Sequence, residues 1–354
     1  MTRFNSDYST LRMADAPTNP IPVPRQYPWQ ASVIEQFQAA WQAQRFPHAL
    51  LLQGAPGLGK RHLAAWLSAA VLCENSNPNL RVCGTCASCL LINAHSHPDL
   101  LWVSPEEQKQ QISVDQIRAA TSRLTHTSYR QGYKVAVVEP AHQMTVNAAN
   151  SLLKTLEEPT PKSLLILITS QASSLLPTVR SRCQKVVVQA PGTAEALAWV
   201  ETETGISTSA DLLEFAGRAP LRAAELAQGW FEQLDGEMQR SLDQLASGAT
   251  DVTQVATEWS KEGLIDRLTW LDLWLSSTAR GLIGGTADLF TFPARSAHLP
   301  SLPATLNISA LYTLVDQIRA LKAQLARTAL QRELAVESVL ISLLQTLAPA
   351  SAGR

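Results

Sequence analysis

Gly54-Ala55-Pro56-Gly57-Leu58-Gly59-Lys60 follows an apolar run and opens a stretch of helical periodicity, the setting in which a glycine-rich loop cradles phosphate. Glycines let backbone N–H groups curl around an anion, a helix N-terminus favours negative charge, and an ammonium group reaches the outer phosphates. Gly54, Gly57, Gly59 and Lys60 are therefore candidate nucleotide ligands. The next position, where a working ATPase of this kind holds Mg²⁺ on a Ser or Thr hydroxyl, is Arg61. A guanidinium has only donors and repels a cation. A metal-holding Asp and a catalytic Glu are expected to end a later buried strand. The run Val135-Ala136-Val137-Val138-Glu139-Pro140 offers Glu139 at the first place and Pro140, with no group to polarise water, at the second. Two defects in one metal site oppose magnesium-dependent hydrolysis. The surviving loop and Lys60 leave ATP or ADP binding without turnover open.

A second chemical cluster is Cys73, Cys83, Cys86 and Cys89, spaced Cys-x9-Cys-x2-Cys-x2-Cys. Four thiolates with x2 pairs match a closed, tetrahedral, all-cysteine zinc site, with an iron–sulfur cluster or a redox pair as alternatives. Four protein ligands leave no open position, so the expected Zn²⁺ is structural. Gly84 suits the sharp turn between ligands. Cys183 lies far off in sequence. His95 and His97 are near enough to be weighed as ligands, but His97-Pro98-Asp99 reads more simply as a turn.

The elements that must position these groups follow from periodicity. The chain has 354 residues, enough for two or three domains, with 45% hydrophobic residues and a formal net charge of -1. Without a basic stripe it is not expected to bind nucleic acid on its own. No apolar run reaches the roughly 18 residues of a membrane span, and no secretory leader is evident, so a cytoplasmic protein is expected. Residues 1–28 are polar and Pro-rich and read as a disordered tail outside the fold. Ala31–Gln44 reads as a helix; His48–Gln53, Leu100–Val103, Val135–Glu139, Leu164–Thr169 and Lys185–Val188 read as strands; Lys60–Leu72 and Val114–Leu124 read as helices between them. Apolar strands alternating with helices imply a mostly parallel sheet covered on both faces. After Pro191 helix formers dominate. Long helical stretches span Gly263–Leu282 and Ile308–Leu347, with a loop over Ile283–Asn307. The Leu and Trp stripes there, Trp270, Trp274 and Leu275 foremost, suit either a core or an oligomer interface.

Ala149, Leu152, Leu153 and Leu156 form an apolar helical stripe that stops before Pro159. By residue chemistry alone, Lys154, Glu157 and Glu158 are a solvated helix face, and Arg180 and Arg182 are surface cations. The strings Leu-Leu-Lys-Thr-Leu-Glu-Glu-Pro (152–159) and Ser-Arg-Cys (181–183), with the phosphate loop and the cysteine insert, resemble bacterial clamp-loader subunits of the AAA+ superfamily over about Trp29–Ala224. The resemblance implies a RecA-like AAA+ phosphate-loop α/β domain over 29–190 with a zinc module at 73–89. A small helical lid over 191–245 and an all-α collar over 246–354 would follow.

The damaged metal site is similar to the family's non-hydrolysing subunit, not its ATP-hydrolysing tau/gamma subunit. The resemblance then implies a stator without ATPase activity of its own, serving sliding-clamp loading in DNA replication. Arg182 would be an arginine finger acting in trans, Thr169 a polar sensor of the γ-phosphate, and Arg222 in Gly217-Arg218-Ala219-Pro220-Leu221-Arg222 a second-sensor arginine or else a helix-surface cation. Implied partners are tau/gamma and delta subunits in a five-subunit ring, with the sliding clamp and primed DNA met through the complex. Two other readings stand beside it. One is an active tau/gamma-like ATPase with unusual metal ligands, opposed by Arg61 and Pro140. The other is a zinc-stabilised nucleic-acid module, opposed by the balanced charge.

Overall fold

The computed structural model describes residues 21–75, 79–107, 109–284, 307–325 and 331–347. The chain divides into two compact units with the boundary between Ala190 and Pro191.

The first unit runs α1 (Ala31–Gln42), β1 (Ala49–Gln53), α2 (Lys60–Leu72), α3 (Ala87–Asn93), β2 (Leu100–Val103), α4 (Val114–Thr125), β3 (Lys134–Val138), α5 (Val146–Ser151), α6 (Leu153–Glu157), β4 (Ser163–Thr169), α7 (Pro177–Arg180) and β5 (Gln184–Val187). The five strands form one parallel sheet in the order β2-β3-β4-β1-β5. Every residue of β3 and β4 is buried, as an inner parallel strand covered on both faces requires. At the edge, β5 buries only Val186. This is the phosphate-loop α/β architecture of the AAA+ kind that the resemblance implies. Burial of Leu50, Leu51 and Leu52, fully inaccessible on β1, stabilises the unit by about 1.5–3 kcal/mol per side chain.

Strand register decides what meets what. Gln53 pairs with Thr169 across β1 and β4, and Val138 with Leu167 across β3 and β4. The loop after β1, the residue after β3 and the end of β4 therefore share the carboxyl edge of the sheet, where open α/β sheets place their ligands. The helix expected to stop before Pro159 does so, but it is broken at Leu152 into α5 and α6. Thr145 caps it by accepting the Ala148 N–H, and Ala149, Leu152 and Leu156 bury as the stripe requires.

One expectation is corrected at the N-terminus. Residues 1–20 lie outside the described residues, yet residues 25–28 belong to the fold. Tyr27 is only 3% exposed, and Arg25 sits over its ring at 5.2 Å. Polar composition concealed a short aromatic anchor.

The second unit is helical: α8 (Thr193–Thr204), α9 (Ala210–Phe215), α10 (Pro220–Leu226), α11 (Trp230–Ala246), α12 (Val252–Lys261), α13 (Leu264–Gly284), α14 (Ile308–Leu325) and α15 (Arg332–Leu347). One apolar cluster runs from Ala196 to Leu343 through the stretches expected as lid and collar. Trp270, Trp274 and Leu275 belong to that core, and the Trp270 indole N–H donates to Asp235 Oδ1 at 2.8 Å. The helix expected over Ile308–Leu347 is instead the pair α14 and α15, with 326–330 outside the described residues. A straight helix of that length would extend about 60 Å. Two shorter ones bring Leu311, Leu314 and Ile318 and then Val336, Val339 and Leu340 to the same core. Of the loop expected over Ile283–Asn307, residues 285–306 lie outside the described residues. Among the described residues no helix is long and apolar enough to cross a membrane.

Candidate functional site

The phosphate loop leaves β1 and enters α2 through Gly59, whose φ of +77° no side chain adopts easily. A Cβ there would also meet the Tyr27 ring at 2.6 Å. The loop is closed on itself. Lys60 is 7% exposed and donates from Nζ to Gly54 O at 2.8 Å and Ala55 O at 2.6 Å. Burial lowers its pKa to about 8, against the opposing pull of Glu139. Over the loop lies an aromatic strap that sequence reading missed. Trp29 Nε1 donates to Leu58 O at 3.1 Å, and Gln30 Nε2 donates to Leu58 O at 3.0 Å and Gly59 O at 3.1 Å. Tyr27 stacks on Trp29, with ring centroids 5.0 Å apart, and meets His62 edge-on at 5.5 Å.

Two of the three residues expected to spoil a metal site, Arg61 and Glu139, meet each other. Arg61 Nε lies 2.7 Å from Glu139 Oε2, with side-chain exposures of 26% and 13%. The Trp102 indole N–H also donates to Glu139 Oε2 at 3.2 Å, and the Arg61 guanidinium sits over the Trp102 ring at 6.0 Å. Burial raises the Glu139 pKa more than the Arg61 charge, the Trp102 bond and Lys60 lower it. The carboxylate that would face a divalent cation faces a guanidinium instead. Sequence reading counted two separate defects. The signal for their pairing was the opposite charge of two residues that the sheet order brings together.

Thr169 ends β4 where expected, but its hydroxyl is already engaged. It accepts the Gln171 N–H at 3.0 Å and shares a 3.0 Å hydrogen bond with His142 Nδ1. His142, also missed by sequence reading, has its pKa lowered by burial and then by the Lys60 charge.

Between α2 and β2 the four expected cysteines converge. The sulfurs of Cys73, Cys83, Cys86 and Cys89 all lie within 4.8 Å of one another, and none is disulfide-bonded. Cys73 and Cys86 sulfurs are 3.9 Å apart, and those of Cys83 and Cys89 3.8 Å. A tetrahedron with metal–sulfur bonds of about 2.3 Å has edges of about 3.8 Å, so the set fits a zinc-sized ion. The N–H groups of Thr85 and Cys86 point at Cys83 Sγ and bring its pKa down to about 5. Gly84 supplies the turn with φ +73°. His97 serves the turn expected of it. Its Nδ1 accepts the Asp99 N–H at 3.1 Å, and its Nε2 bonds Ser88 Oγ at 3.1 Å.

Arg182 follows α7. Its Nη2 lies 2.6 Å from Glu157 Oε1, and its Nη1 donates to Thr178 O at 3.1 Å. Arg222 lies in the second unit, where its Nη2 meets Asp266 Oδ1 at 3.1 Å and its guanidinium sits 5.8 Å from the Phe215 ring centre. The first unit thus gathers Gly54, Gly57, Gly59, Lys60 and Thr169 at one sheet edge. Arg182 is held by α6 and α7, and Arg222 by α13.

A family model described as DNA polymerase III, delta subunit, matches residues 29–191, and one described as DNA polymerase III, delta subunit, C terminal, matches residues 236–345. The DNA polymerase III subunit delta' of Pseudomonas aeruginosa is 36% identical over 252 residues, covering 70% of this chain and 75% of that protein. The chain belongs to the delta-prime family of DNA polymerase III subunits. Its delta-prime relative from Yersinia pestis is 30% identical over 295 residues, covering 80% of this chain and 86% of the other. The delta-prime subunit of Escherichia coli K12 is 38% identical over 207 residues, covering 58% and 62%. The first family match contains the phosphate loop, the four cysteines and Arg182, whereas Arg222 falls between the two matches.

Proposed function

We propose that this delta-prime family member is a non-hydrolysing stator of a clamp loader, working in DNA replication in the cytoplasm. The observation that carries the reading is the Arg61–Glu139 pair at 2.7 Å, because it fills with an internal cation the place where hydrolysis needs Mg²⁺. Neither side chain can then hold a metal, and Pro140 supplies no base. Once Lys60 leaves the Gly54 and Ala55 carbonyls, the loop glycines and Lys60 are the groups to hold ATP or ADP without turnover, with Thr169 beside the outer phosphate. Its catalytic contribution is Arg182, which stabilises charge on a transferring phosphate in the neighbouring subunit. Arg222 is assigned to bracing α10 on α13 through Asp266. Neighbours are tau/gamma and delta subunits in a five-subunit ring, with clamp and primed DNA met through that ring. Cys73, Cys83, Cys86 and Cys89 hold a structural Zn²⁺, worth on the order of 10 kcal/mol to local folding.

The test is the Arg182→Ala variant in a complex reconstituted with the ATPase subunits. Turnover at the adjoining site is expected to fall on the order of 10³-fold, with zinc content and unfolding midpoint unchanged. Magnesium-dependent hydrolysis by the isolated chain would sink the reading. Removing metal with a chelator is expected to open residues 79–93 to protease, and unchanged resistance there would count against the zinc.

A further inference from the structure

Beside the Ser-Arg-Cys tip, the end of α6 brings Glu157 against Arg182. The root of the tip is rigid: Val179 and Cys183 are buried in one cluster with Leu152, Leu156 and Leu175. The Arg182 backbone N–H donates to Val179 O at 3.2 Å, closing the turn after α7. Beyond that root the side chain is long and 37% exposed, and arginine has among the largest rotamer entropies of any side chain. Two contacts restrain it. Thr178 O takes one terminal nitrogen and Glu157 Oε1 the other.

Glu157 is also an odd choice for its own helix. It is the last residue of α6 and is followed by Glu158, so two negative charges sit at the negative end of a helix dipole. The neighbouring Leu156 is buried and fixes where the Glu157 backbone points. A carboxylate placed against the dipole, rooted beside a core residue and aimed at Arg182, serves Arg182 better than it serves the helix.

We propose that Glu157 is a positioning residue for Arg182: it holds the guanidinium fork at a fixed angle, leaving its other N–H groups for a phosphate of the adjoining subunit. This rests on the trans role of Arg182 given above. The pair is half-exposed and therefore weak, so Glu157 orients the group without burying or neutralising it. An arginine already restrained loses less freedom when it engages, and the gain appears in turnover and not in nucleotide affinity.

The experiment compares Glu157→Gln, Glu157→Asp, Arg182→Ala and Arg182→Ala with Glu157→Gln, each in the reconstituted clamp-loader complex with primed DNA and ATP. Glu157→Gln is expected to lower kcat about 3- to 10-fold with KM for ATP unchanged, as loss of one orienting contact does. Glu157→Asp, which keeps the charge on a shorter arm, should recover part of it. In the Arg182→Ala background Glu157→Gln should cost nothing more. An unchanged or raised kcat in Glu157→Gln, or an equal loss with Arg182 already removed, overturns the proposal while leaving Arg182 its role. Full activity of Arg182→Ala removes the role itself.

Discussion

Two of the first unit's arginine–glutamate pairs, Arg61–Glu139 and Arg182–Glu157, are set apart by their surroundings. Arg61 and Glu139 meet at the carboxyl edge of the sheet, mostly out of water, with Trp102 closing one side. Arg182 and Glu157 meet near the surface, with side-chain exposures of 37% and 51%. A buried pair is costly to form but still costlier to halve, because the survivor keeps its charge without a partner. An exposed pair gains little and can be exchanged for a better anion. The same chemistry is thus locked in one place and available in the other. On the proposed reading, that difference separates a disabled pocket from a tip able to act on a neighbour.

The comparison can be broken by halving each pair. Glu139→Ala leaves the Arg61 guanidinium in a largely dry site and is expected to cost about 3–5 kcal/mol in denaturant unfolding. A cost below about 1 kcal/mol would mean that the inner pair is as soft as the outer one.

Lys60 sharpens the contrast, because burial also governs its charge. Its folded pKa is lowered, to about 8 from 10.5, so the unfolded chain binds the extra proton between those values. Stability relative to Lys60→Met should therefore rise with pH through that window, by about 3 kcal/mol in all. A flat difference would show that Lys60 is better hydrated than its surroundings indicate. At the small end, Glu157→Gln should change unfolding free energy by less than about 1 kcal/mol. A larger loss would move the outer pair into the same class as the inner one.

Much of the fold was readable because its signals are local. β1 and β4 are short apolar runs between polar turns, and the four cysteines lie within one short insert. The groups that were missed depend on long-range placement. Arg61 and Glu139 come together only because β3 lies beside β4, which lies beside β1. Tyr27 reaches the phosphate loop from the end of a segment whose polar composition resembles a tail, and Gln30 joins it just beyond. The division of Ile308–Leu347 into α14 and α15 has no Gly or Pro to mark it. It follows from two apolar stripes seeking one core. Residue chemistry alone gave Arg182 no signal, since an exposed arginine after a short helix looks like any other; its proposed role rests on the Ser-Arg-Cys string at 181–183.

The most direct measurement is ATP turnover by the reconstituted complex carrying either Arg61→Ala or Arg182→Ala, at equal subunit occupancy. Arg61→Ala is expected to leave DNA-stimulated turnover near that of the unaltered complex, and Arg182→Ala to abolish it at the adjoining site. Loss with Arg61→Ala and retention with Arg182→Ala would contradict a subunit whose own pocket is disabled and whose chemistry is delivered to its neighbour.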